Sequence, residues 1–232
     1  MLVYGKNVAK AYLEKNKKIN LIYLQNNFDD KTLISQIEKN KIAYKFCSKN
    51  EIDNLCPGVN QGIILSVPDY NYGSFESIIK NEDEVIVVLD HIEDPHNFGA
   101  IIRTCEAAGI KSIIISKDRQ VSVNSTVMKT SVGTALNMNI VMVSNIANTL
   151  EKLKDLGYWI VGTALHNSVD YRTIDYSGKI IVVIGNEGNG ISNIVEKKCD
   201  FIAKIPMYGE TNSLNASVAA GIMLYEVIRN RK

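Results

Sequence analysis

Residues 205–221 read IPMYGETNSLNASVAAG, and the character of the chain changes twice inside that stretch. An apolar run, residues 201–205, stops at Pro206. A polar turn rich in Gly, Glu, Thr, Asn and Ser follows, and an Ala-rich stretch, SVAAGIMLYEVIR over 217–229, has helix composition. A strand that ends in a polar loop and re-emerges as a helix gathers backbone N–H groups and short side chains around a small space. In open α/β sheets ligands bind there, outside the carboxyl ends of the strands. Two junctions upstream, residues 90–103 and 185–192, carry polar loops of the same kind. Three such loops in one domain imply a single shared site.

Outward from these loops the second half alternates strand and helix. Residues 85–89, 112–116, 140–143, 158–163, 180–184 and 201–205 read as strands, and 98–108, 146–156, 191–198 and 217–229 as helices. Near-continuous β-branched runs suit strands buried on both faces of a parallel sheet, so the expected class is α/β. Residues 1–70 read as a small α/β domain, with helices to about Lys15 and over 32–40 and short strands at 20–24, 44–47 and 62–67. Pro68-Asp69-Tyr70-Asn71-Tyr72-Gly73 is turn chemistry. A linker over 71–84, holding a short helix near 75–80, then precedes a larger domain over 85–232.

Composition sets outer bounds. The 232 residues are 46% hydrophobic and 22% charged, ordinary for a soluble globular protein of one or two domains. Net charge is +1, divided as +3 over residues 1–70 and −2 over the rest. That small basic excess permits contact with phosphates without demanding it. Cys47, Cys56, Cys105 and Cys199 form no CxxC pair, which speaks against a zinc or redox site and for free thiols in a reducing cytoplasm. No run approaches the 18 apolar residues of a membrane span.

Each loop has a plain reading and a sharper one. In the first, Asp94 before Pro95 or Asn97 before Phe98 would each cap a helix. Asp90, His91, Glu93, Asp94 and His96 are potential metal ligands, but they lack HExxH or another ligand spacing, and no metal is expected. Arg103 falls about a turn and a half beyond Asn97, where its fork of N–H donors could reach back to a phosphate. The second loop, GNEGNGIS over 185–192, spaces its glycines as GxxGxG. That differs from the dinucleotide fingerprint GxGxxG and disfavours a nicotinamide enzyme. Glu187 between those glycines can orient a substrate or a nearby arginine.

Taken together, DPHNFGAIIRTCEAAG (94–109), IVVIGNEGNGIS (181–192) and IPMYGETNSLNASVAAG (205–221) resemble, in order and separation, the motifs of the SpoU/TrmH family of RNA ribose 2′-O-methyltransferases. The opening YGKNVAKAYLEKNKKI (4–19) is similar to the start of that family's substrate-binding domain. In layout the chain resembles the RlmB-like subgroup, which methylates a guanosine of large-subunit ribosomal RNA. Cys105 stands where many relatives have a small residue such as Ala.

The resemblance implies a C-terminal SPOUT methyltransferase domain with a trefoil knot, made by segments around 185–192 and 205–221. It implies S-adenosylmethionine as methyl donor, in a pocket at Thr163, Gly185, Gly188, Ile205, Met207 and Leu214. The catalytic motif positions become Asn97, Arg103, Glu187, Ser213 and Asn215. A homodimer with the last helix at the interface, an RNA partner and a cytoplasmic location are further implications. Because guanidinium stays protonated in proteins, Arg103 is better suited to clamping a phosphate than to removing the hydroxyl proton. The RNA grip falls to the front domain and dimer surface, with Lys6, Lys10, Lys45 and Arg119 as candidates. Methylation of transfer RNA, or RNA binding without methyl transfer, are the alternative readings.

Overall fold

In the computed structural model, which describes residues 1–186 and 188–231, the chain divides into two units. The first comprises Met1–Asn71 and Val123–Leu136. Its elements begin β1 (Leu2–Tyr4), α1 (Lys6–Glu14), β2 (Leu21–Gln25), α2 (Lys31–Lys39), β3 (Tyr44–Cys47), α3 (Lys49–Leu55) and β4 (Ile63–Ser66). The sheet order is β1-β4-β2-β3, with β4 antiparallel to both neighbours and β2 parallel to β3. Along β2, Ile22 and Leu24 are fully buried between half-buried Leu21, Tyr23 and Gln25, the period of two of a strand with one covered face. Val8, Ala9, Tyr12 and Leu13 form the buried stripe of α1, and Leu33 and Ile37 that of α2. Asp30 starts α2 by accepting from the Leu33 N–H at 3.2 Å. Ser48 and Glu51 close a reciprocal capping box on α3.

The second unit comprises Tyr72–Ser122 and Asn137–Lys232. From residue 72 the elements run α4 (Phe75–Asn81), β5 (Val85–Asp90), α5 (Pro95–Ala107), β6 (Ser112–Ser116), α6 (Ser125–Thr130), β7 (Asn139–Val143), α7 (Ile146–Asp155), β8 (Trp159–Thr163), β9 (Val169–Asp170), β10 (Ile180–Gly185), α8 (Asn193–Glu196), β11 (Phe201–Lys204) and α9 (Ala216–Arg229). Of these, α6 belongs to the first unit. The sheet order is β7-β6-β5-β10-β8-β11-β9, and every pairing is parallel. All six residues of β5 and all six of β10 are buried, and each buried Val or Ile contributes about 1.5–3 kcal/mol. Helices on both faces leave these central strands no solvent, which is why their sequence lacks polar alternation.

Three expectations are corrected. The segment 123–136 is packed with the first unit: Lys129 of α6 donates to Gln61 Oε1 at 2.9 Å, with its Nζ 5.7 Å from the Tyr4 ring centre. Burial there pulls the Lys129 pKa down. The helix expected over 191–198 is a single turn, Asn193–Glu196, because Ile191 is buried and the Ser192 N–H donates to Asp90 Oδ2 at 2.7 Å. The helix expected from residue 98 begins instead at Pro95. No helix among the described residues is long and apolar enough to cross a membrane.

Candidate active site

The start of α5 fixes the first part of the site. Asp94 caps the helix, its carboxylate accepting from the His96 N–H at 2.9 Å, and Pro95 occupies the first helical position. Asn97 is therefore inside the first turn and does not cap the helix. It is 6% exposed, and its Oδ1 accepts from Asn215 Nδ2 at 2.9 Å. Asn215 is in turn the cap of α9: its Oδ1 accepts from the N–H groups of Ser217 at 2.9 Å and Val218 at 3.3 Å, and from the Ser217 hydroxyl at 2.6 Å. One amide thus starts α9 with its oxygen and ties it to α5 with its nitrogen. Arg103, further along α5, is exposed and makes no hydrogen bond or ion pair with another described residue. Glu187 lies outside the described residues, so its expected pairing with Arg103 is not part of this geometry.

The second part is a cavity of about 340 Å³ at the carboxyl ends of β8, β10 and β11. Thr163, Gly185, Gly188, Ile205, Met207 and Leu214 all line it, as do Ser213, Asn186 and Ala216. Asn215 therefore stands between two cavity-lining neighbours. The volume is at the lower end of the range of small-molecule sites, and Ile184, Ile191, Ile205, Met207 and Leu214 give it an apolar lining. The Thr163 hydroxyl is already used, donating to the Val183 carbonyl at 3.1 Å. No described lining residue is a carboxylate.

The two glycines of the lining differ physically. A Cβ on Gly185 would sit 2.1 Å from the Gly190 carbonyl carbon and 2.2 Å from the Ile191 nitrogen. The cause is the loop turning back on itself, with Asn186 and Gly190 exchanging backbone hydrogen bonds at 3.0 and 2.8 Å. A Cβ on Gly188 meets nothing closer than Asn186 Oδ1 at 3.5 Å. The protein itself leaves room at Gly188.

Asn186 is a residue the sequence reading missed. Its Oδ1 accepts from the N–H of Gly188 at 2.9 Å and Asn189 at 3.3 Å, and its Nδ2 donates to the His91 carbonyl at 3.0 Å. An Asn opening a glycine-rich turn is the available signal, since such side chains bond their own backbone two residues on. Among the described residues no three His, Cys, Asp or Glu side chains are grouped to hold a metal. All four cysteines are free thiols; burial pushes Cys105 strongly upward and Cys199 up to about 12. Of the cationic candidates, Lys6 is partly neutralised by Asp30 at 3.5 Å, whereas Lys45 lies over the Tyr23 ring at 5.0 Å.

Known proteins resemble this chain in sequence and in fold. Residues 84–225 match the SpoU rRNA Methylase family, and residues 2–73 match a model described as RNA 2'-O ribose methyltransferase substrate binding. A protein of Staphylococcus saprophyticus named as a TrmH family tRNA/rRNA methyltransferase is 42% identical over 240 residues, spanning 100% of this chain and 96% of its own. Among solved structures, the SpoU methyltransferase AviRb from Streptomyces viridochromogenes, in complex with AdoMet, has a TM-score of 0.83 at 24% identity, covering 100% of this chain and 90% of its own. The AdoMet-bound rRNA methyltransferase from Sinorhizobium meliloti has a TM-score of 0.82 at 27% identity, covering 98% and 86%. The TrmH/SpoU tRNA modifying enzyme of A. aeolicus is 36% identical with a TM-score of 0.60, covering 64% of this chain and 76% of its own. With both family models matched end to end along its two halves, the chain belongs to the SpoU/TrmH family of RNA methyltransferases.

Proposed function

We propose that this protein is an S-adenosylmethionine-dependent RNA ribose 2′-O-methyltransferase acting on a guanosine of large-subunit ribosomal RNA. One observation carries the reading: the residues expected to hold the donor line a single cavity, and Asn215, tied to Asn97, stands in the chain between two of them. The open space at Gly188 and the apolar side chains of Ile184, Ile191, Ile205, Met207 and Leu214 suit a ligand that presents an adenine. When bound, that donor supplies a methyl group on positively charged sulfur, ready for in-line displacement.

The chain's own residues then have mainly positioning to do. Arg103, uncommitted among the described residues, clamps the phosphate next to the target ribose. Asn97 and Asn215 hold the two helix starts in register, and Ser213 offers a hydroxyl at the cavity wall. Glu187 is proposed to orient Arg103. The first unit, which matches the substrate-binding model, provides the RNA grip.

The same reading includes the trefoil knot made by the segments around 185–192 and 205–221. It also includes a cytoplasmic homodimer, for which the exposed Val218 and Tyr225 of α9 and the exposed Tyr208 offer an apolar surface. Transfer RNA is the second reading; the A. aeolicus tRNA modifying enzyme covers 64% of this chain, and the front unit's match to the substrate-binding model favours ribosomal RNA. The test is methyl transfer from labelled S-adenosylmethionine to unmodified ribosomal RNA and to bulk tRNA, with R103A alongside. Label in ribosomal RNA as 2′-O-methylguanosine, lost in R103A, is the expected result. Label confined to tRNA keeps the chemistry and overturns the substrate. No label in either, with no donor binding by calorimetry, leaves an RNA-binding protein.

A further inference from the structure

Beside the cavity loop, three side chains form a chain that the methyl-transfer roles do not use. Asp90, at the end of β5, is fully buried; its Oδ2 accepts from the Ser192 N–H at 2.7 Å, and its Oδ1 lies 2.7 Å from His91 Nδ1. This second contact is close but not well aligned: the Nδ1–H does not point squarely at the oxygen. His91 Nε2 then meets Arg119 Nη2 at 3.3 Å. Guanidinium is always a donor, so in this contact Nε2 is the acceptor. The three groups stand in the order carboxylate, imidazole, guanidinium.

Two features make this more than a surface contact. Both His91, at φ 66°, and Arg119, at φ 49°, hold the left-handed backbone that non-glycine residues avoid. Both loops are pinned: Gln120 Oε1 accepts from the Ile92 N–H at 2.8 Å, the Val121 N–H donates to the Ile92 carbonyl at 2.9 Å, and Asn186 holds the His91 carbonyl. The effect on charge is specific. An imidazole holds Arg119 without neutralising it, no carboxylate of a described residue is within 4.0 Å of the guanidinium, and the residue is exposed. A planar donor fork, fixed in direction and left with its charge, is the form in which proteins bind phosphate. It stands after β6, at the same carboxyl edge of the sheet as the β5–α5 loop that leads into the first turn of α5, where Asn97 lies.

We propose that Arg119 binds a backbone phosphate of the RNA strand entering the methyl-transfer site, and that His91, braced by Asp90, is its positioning residue. This rests on the RNA methyltransferase reading and adds a second phosphate contact, distinct from that of Arg103. A phosphate contact carries no sequence information, so it serves either RNA alike.

The probes are an unmodified large-subunit rRNA transcript and bulk tRNA, titrated against wild type, R119Q, R119K and H91G over a salt series. R119Q is expected to weaken both RNAs by about the same factor, roughly 5–10-fold, and to reduce the salt slope by about 1. In turnover the loss appears in KM for RNA rather than in kcat, with donor affinity by calorimetry unaltered. R119K should recover part of the affinity. H91G suits the left-handed backbone better than histidine does, so a purely structural role predicts no loss. The positioning role predicts weaker RNA binding, about 3-fold, by the loss of the acceptor that aims Arg119. Unchanged RNA affinity and salt slope in R119Q overturn the proposal, and unchanged affinity in H91G overturns the part given to His91. Should R119Q melt early, R119K decides: equal melting with partial recovery supports the contact, and no recovery sinks it. Wild type that binds RNA without transferring methyl removes the enzyme reading but leaves the binding comparison intact. Wild type that binds neither RNA removes both.

Discussion

Two loops approach the end of the parallel sheet, and they are built in opposite ways. The loop between β5 and α5 is tied at nearly every residue: His91 by Asn186, Ile92 by Gln120 and Val121, and Asp94 by the helix it caps. The segment between β11 and the cap of α9, residues 205–214, has few bonds. Thr211 donates to the Ser213 carbonyl at 3.1 Å, Arg172 reaches Tyr208, and residues 208–213 are all exposed. Backbone groups left to water at a cavity wall are groups a ligand can satisfy. The contrast is between a pre-set wall that aims side chains and an open wall whose backbone groups face solvent.

The largest effect that would sharpen this contrast belongs to the tied side. R103A is expected to lower methyl transfer by about 10²–10³-fold, the scale of one lost electrostatic anchor, with donor affinity by calorimetry unchanged. Equal losses of donor affinity would place Arg103 in the cavity and blur the division. Next come the two glycines. G185A forces a Cβ onto backbone at 2.1 Å and should cost about 1–3 kcal/mol in denaturant unfolding. G188A should melt like wild type yet bind donor about 10-fold more weakly, the scale of a methyl group intruding on a filled site. A destabilised G188A with unaltered donor affinity would make Gly188 structural and break the comparison.

Hydrogen exchange offers a more direct measure. Adding S-adenosylmethionine should slow exchange of the amides over 207–214 by about 10-fold, while the amides of residues 91–93 change little. Comparable protection in both loops would mean the tied wall is not pre-set. The smallest effect separates the two tasks of Asn215. N215A should cost about 1 kcal/mol through the lost helix cap. N215D, which keeps a capping oxygen, should stay within about 0.5 kcal/mol of wild type yet lose the donor to Asn97. A fall in methyl transfer in both variants would assign activity to the Asn97 bond, and full activity in N215D would assign it to capping alone.

Much of this site was legible because its signals are local. The β-branched runs of β5 and β10 announce buried strands without reference to anything distant, and the polar loops after them announce where ligands sit. The six pocket positions came through motif resemblance, and all six line the cavity. What stayed hidden depended on partners far along the chain. Val127 and Met128 of α6 are buried, but nothing near them says that they pack with a strand made of Leu2–Tyr4. The sequence Ser48-x-x-Glu51 is a capping box, a local signal for the start of α3. The start of α5 was ambiguous because Asp94 and Asn97 are both good caps. The Pro95 ring favours the earlier start, and Asn215, 118 residues on, accounts for Asn97. Likewise, only the fold reveals that Asp90 is spent on Ser192.

The position of β10 carries a consequence for how this protein is made. It pairs with β5 on one side and β8 on the other, so it fills the centre of the sheet although it is among the last strands in the chain. As the polypeptide leaves the ribosome, β5 through β8 are present by residue 163, yet β5 and β8 share no hydrogen bonds with each other. Each keeps a bare apolar edge until residues 180–185 emerge and enter between them. The sheet is thus completed from the inside, by a long-range pairing that makes closure a slow step. During that interval the nascent chain exposes strand edges that any passing strand could join.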